Sequence, residues 1–167
     1  MTVALPGGRE RAWHEAYHAA ALCIAGMVPE CARTDFPEDG AAGSVDIDWG
    51  EGGFRDPAAA KAVLVAVVIG GMTEGRDGWE WENWPIDRRK MAEGAGGDAV
   101  KARELIEHFE MDQVDWCHVL WQASRLGRRQ DFRRLAVLIA NELERVEVLH
   151  AQDLRDLMAQ GREAAAA

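Results

Sequence analysis

Residues 14–18 read His14-Glu15-Ala16-Tyr17-His18, inside the Ala-rich stretch Arg9 to Met27, which lacks Pro and follows Pro6-Gly7-Gly8. That composition behind a Pro-Gly-Gly break predicts a helix. On a helix, a spacing of four puts both imidazoles on one face, a turn apart, where they can share a metal ion. Glu15 follows the first histidine and can reach a metal-bound water. Zinc lowers the pKa of such water to about 7, and a nearby carboxylate can then take its proton as it attacks a carbonyl. His14 and His18 are thus candidate ligands, Glu15 a candidate general base and zinc the candidate cofactor. The alternative is a chance pattern: two histidines on an amphipathic helix beside a surface glutamate. Ala19, Ala20 and Ala21 leave room for another helix or a substrate to come close.

A catalytic zinc takes a third protein ligand and keeps one position open. His108, His118 and His150 fall in later predicted helices and read as surface or partly buried histidines. The acidic candidates are Glu74, Asp87 and Asp98. Glu74 ends a predicted buried helix, where a carboxylate is rare unless paired or coordinating. Asp98 follows Gly94-Ala95-Gly96-Gly97 and opens a helix, where aspartate is also a favoured N-cap. On these residues alone, ligand and cap both stand.

Outward from the motif, Pro29 and Asp35 to Gly43 read as loop, and Ser44 to Trp49 alternates apolar and polar with period two. That is a short strand whose charges suit a sheet edge. Pro57 sits well in the first turn of a helix running to about Glu74, apolar on most sides and so central and buried. Asp77 to Gly97 is irregular and carries Trp79, Trp81 and Trp84. Helices are predicted over Asp98 to Phe109, Asp112 to Leu126, Gln130 to Leu149 and Gln152 to Met158. The fold class is mainly α with a small β element. Residues 1–160 form one domain, and 161–167 read as a disordered Ala-rich tail.

Composition narrows the function classes. With a net charge of −10, the chain repels phosphate backbones, so nucleic acid is not an expected partner. Arg125, Arg128, Arg129, Arg133 and Arg134 read as a solvated helix junction. The three cysteines, Cys23, Cys31 and Cys117, are odd in number and lack C-x-x-C spacing, which argues against disulfides and for a reducing cytoplasm. Met1 to Gly8 lacks a basic start and an apolar run, so no secretory leader is expected. The most apolar stretch, Ala62 to Met72, is far shorter than the ~20 residues of a membrane span.

Four segments in order resemble the peptidase domain of the FtsH-type ATP-dependent zinc metalloproteases. They are His14-Glu15-Ala16-Tyr17-His18; Gly70-Gly71-Met72-Thr73-Glu74; Gly94-Ala95-Gly96-Gly97-Asp98 with Ala102; and Leu135-Ala136 through Leu149. The resemblance, which runs from about Arg9 to Met158, implies a helical zinc-peptidase fold with Asp98 as third ligand and Glu15 as base. Glu74 would orient a ligand. Gly43, Ser44 and Val45 would begin a strand along which a peptide substrate pairs, as an exposed edge permits. It also implies peptide or unfolded protein as substrate, a hexamer, and an ATPase. With no G-x-x-x-x-G-K-[ST] segment here, the ATPase would be a separate protein.

The chain departs from that family pattern in two places. Tyr17 stands where the family usually has glycine, so its ring would pack on the Trp-rich segment or crowd the metal. Residues 77–89, with three tryptophans, are not a feature of the pattern. They motivate a reading of another class, a non-catalytic binding or regulatory protein that grips a partner through this segment. A metal-dependent hydrolase of a non-peptide amide is a third reading, because the same activated water serves both reactions.

Overall fold

The computed structural model describes residues 8–35, 44–47, 56–72 and 96–166. In chain order these form α1 (Gly8–Ile24), β1 (Cys31–Arg33), β2 (Ser44–Asp46), α2 (Pro57–Met72), α3 (Gly96–His108), α4 (Gln113–Arg128), α5 (Gln130–Val146), β3 (Val148–His150) and α6 (Ala151–Ala166). The protein is mainly helical with a three-stranded antiparallel sheet of order β2-β1-β3.

α1 ends where Gly26 turns left-handed at φ +82°. The amides of Gly26 and Met27 donate to the carbonyls of Cys23 and Leu22 at 3.0 and 2.9 Å, a Schellman closure that directs the chain into β1. α2 begins at Pro57 as expected, with the Asp56 carboxylate accepting from the amide of Ala58 at 2.9 Å. Every residue from Val63 to Ile69 is buried, so α2 is the central helix the apolar run predicts. It packs between α1 and α4, and it also carries α3. α1 lies along α5 on another side, and the alanines Ala12, Ala16, Ala19 and Ala20 are all buried there or against α2.

β2 is the edge strand that the alternation predicts, pairing Val45 with Ala32 of β1. Two expectations fail at the end of the chain. The helix predicted to reach Leu149 stops at Val146, because Glu147 adopts a left-handed φ of 63°. Val148–His150 then forms β3, with Leu149 opposite Ala32. The tail predicted as disordered from residue 161 instead continues α6 through Gly161 to Ala166. Gly161 faces Leu138 of α5, and the alanines beyond it are the strongest helix formers. Among the described residues no helix is long and apolar enough to cross a membrane.

Candidate metal centre

His14 and His18 project from one face of α1, their rings edge to face with centroids 4.5 Å apart. Asp98, in the first turn of α3, meets both. Its Oδ2 lies 3.1 Å from Nε2 of His14 and 3.0 Å from Nε2 of His18, and the two Nε2 atoms are 2.9 Å apart. α3 begins at Gly96, so Asp98 is inside the first turn and is not the residue that caps it. The positive end of the helix dipole favours its carboxylate. Of the two roles open in the sequence, the structure places Asp98 with the histidines.

Neighbouring backbone fixes the orientation of His18. Its Nδ1 lies 2.7 Å from the carbonyl oxygen of Ala66 on α2. A carbonyl only accepts, so Nδ1 carries a proton and Nε2 is the atom turned toward Asp98 and His14. This is the usual way a protein sets the tautomer of a metal-binding histidine. Gly70, one turn on, makes room for the ring: a Cβ there would lie 2.0 Å from Cε1 of His18 and 2.4 Å from Nε2. The imidazole occupies the space that any other side chain would need.

The donor set fits a cation. Three Lewis-basic atoms converge, each within 3.1 Å of the other two, and the Nδ1 proton of His18 is already committed to Ala66. With protons on both Nε2 atoms the two nitrogens, 2.9 Å apart, would face each other as donors, whereas one cation satisfies all three atoms at once. Zinc bonds of about 2.0–2.2 Å to nitrogen and carboxylate oxygen can span a triangle of this size. Among the described residues, His14, His18 and Asp98 form the one group of such side chains able to hold a metal ion.

The electrostatics agree. Burial works against a charged His18, yet the hydrogen bond and charge of Asp98, the charge of Glu15 and the Ala66 carbonyl outweigh it and raise its pKa to about 9. Without an ion, Nε2 therefore takes up a second proton and donates it to Asp98, the place a cation would fill. Burial also works against a charged Asp98, but the hydrogen bonds from His14 and His18 hold its carboxyl well below the usual range. The cluster is built to host positive charge. Glu15 is 3% exposed, and burial raises its pKa against the pull of His18 and His14. A carboxylate this buried, beside the cluster, is not the surface glutamate of a chance motif.

Tyr17 packs its ring edge-on to Phe132 of α5 at 5.1 Å, and next to Trp13 at 6.2 Å. Ser44 and Val45 lie in β2. Gly43, Glu74, Asp87 and the tryptophans Trp79, Trp81 and Trp84 lie outside the described residues. His108, His118 and His150 are exposed and stand apart from the cluster, His150 in β3 rather than in a helix. Sequence reasoning missed the roles of Ala66 and Gly70. The signal for Gly70 was present: a Gly-Gly pair in a buried helix, where each glycine costs about 1 kcal/mol relative to alanine, points to a close approach. No family model, curated protein or solved structure matches the chain.

Proposed function

We propose that this chain is a zinc-dependent metallopeptidase that resembles the FtsH-type peptidase domain, with His14, His18 and Asp98 as ligands. The observation that carries the reading is the triangle of Nε2, Nε2 and Oδ2 atoms beside a buried glutamate. Zinc bound there would supply a Lewis acid for the scissile carbonyl and make water acidic enough to attack near neutral pH. Glu15 accepts a proton from the attacking water and returns it to the departing amide nitrogen. Ala66 and Gly70 hold His18 with its Nε2 toward the site, and Asp98 ties α3 to α1. A peptide added along the edge strand β2 would bind through main-chain hydrogen bonds, largely independent of its sequence. The proposed substrates are peptides and unfolded segments, delivered where needed by a separate ATPase.

The test is cleavage of an unstructured fluorogenic peptide by native protein and by Glu15→Gln. The reading expects cleavage that a chelator stops, zinc restores and the variant lacks. Equal cleavage by the variant would remove Glu15 from the mechanism.

A further inference from the structure

α4 has two apolar stripes, and only one of them is in the core. Trp116, Val119, Leu120, Ala123 and Leu126 are buried. On the other side Val114 is 60% exposed and Trp121 54% exposed, and Cys117 and His118 lie exposed between them. The spacing 114, 117, 118, 121 is that of one helix face. A tryptophan half in water beside an arginine, on the same helix face as a bare valine two turns away, has the residue types of an interface anchor, where Trp and Arg dominate. The guanidinium of Arg125 already stacks over the Trp121 ring at 4.7 Å, so the anchor is preorganised.

Charge along this face decides its occupant. The chain entering α4 is acidic, with exposed Glu110 and the N-cap Asp112, while Asp115 of the first turn pairs with Lys61. The C-terminal end of α4 is basic, with exposed Arg125 and Arg128. A face acidic at one end, apolar in the middle and basic at the other is complementary to itself when turned end for end. Two-fold symmetry requires this of an isologous interface, in which one patch meets its own copy.

We propose that α4 pairs antiparallel with α4 of a second copy of this chain. With the two-fold axis passing between Cys117 and His118, Val114 meets Trp121 of the second copy. The acidic end, Glu110 and Asp112, then lies alongside Arg125 and Arg128, and the two Cys117 thiols come close to the axis. α4 contributes no residue to the metal centre, so this inference is independent of the proposed reaction.

The test is sedimentation velocity over a concentration series, run at physiological salt because the net charge of −10 per chain opposes association where screening is weak. A reversible dimer is expected. Trp121→Ser and Arg125→Glu should each raise its dissociation constant at least about tenfold without changing the circular dichroism, because both side chains are exposed. A short bismaleimide should join Cys117 to Cys117, a link lost in Cys117→Ser while the sedimenting dimer remains. A monomer throughout the series would overturn the proposal and leave the face to another partner. So would a dimer indifferent to both variants, or one linked through Cys31.

Discussion

α1 and α5 pack along each other, yet only α1 buries ionisable side chains. α5 hides Phe132, Leu135, Ala136, Ile139, Ala140 and Leu143 and turns its charges to water. α1 hides five alanines, Leu22 and Cys23 together with Glu15 and His18, the only polar side chains among the buried described residues. Burying Phe and Leu stabilises the fold by roughly 1.5–3 kcal/mol per side chain. Burying an ionisable group costs free energy unless it is paired, neutral or metal-bound. One helix is therefore arranged for stability, and the other buries ionisable groups in a cluster with Asp98. Where α1 meets α2, Gly70 leaves the space that the His18 imidazole fills.

Substitutions on the two sides should separate cleanly. The largest effect is expected at Glu15→Gln, which should lower peptide cleavage by about 10²–10⁴-fold. Zinc content should be retained, and the urea midpoint of the zinc-free chain should hold or rise because a buried charge is gone. A fall in midpoint would mean that Glu15 is structural and that the contrast between helices is false. Phe132→Ala in α5 should do the reverse, destabilising the chain by about 3–5 kcal/mol in urea titration while a folded remnant still binds zinc. Gly70→Ala joins the two effects. The added methyl group must displace the His18 ring, so zinc affinity should drop about 10–100-fold, as for a disturbed ligand-orienting contact. Competition with a chromogenic chelator measures it, and unchanged affinity would mean that the ring has room to move. The smallest effect belongs to Lys61→Met. Its ion pair with Asp115, at 2.5 Å, links α2 to α4 at the surface, and surface pairs contribute about 1 kcal/mol or less.

The same contrast governs what the sequence discloses. α2 and α5 are legible because burial and hydrophobicity coincide there, and their predicted spans differ from the observed ones by about a turn or less. The pairing of His14 with His18 on α1 is legible because a spacing of four puts both imidazoles on one helix face. β3 was invisible because its start depends on a left-handed Glu147, a conformation that periodicity does not encode. β1, at three residues, is too short to show a pattern. Asp98 was ambiguous by chemistry, since a carboxylate at a helix start caps and coordinates equally well, and only the approach of α3 to α1 decides. Ala66 acts through its carbonyl, which every residue has, so no side-chain reading could find it.

The most direct test of the metal centre is elemental mass spectrometry of protein purified without added metal, beside Asp98→Ala. About one zinc per chain in the native protein and little in the variant is the result this account predicts. Native protein that holds no zinc after incubation with the ion and desalting would contradict it.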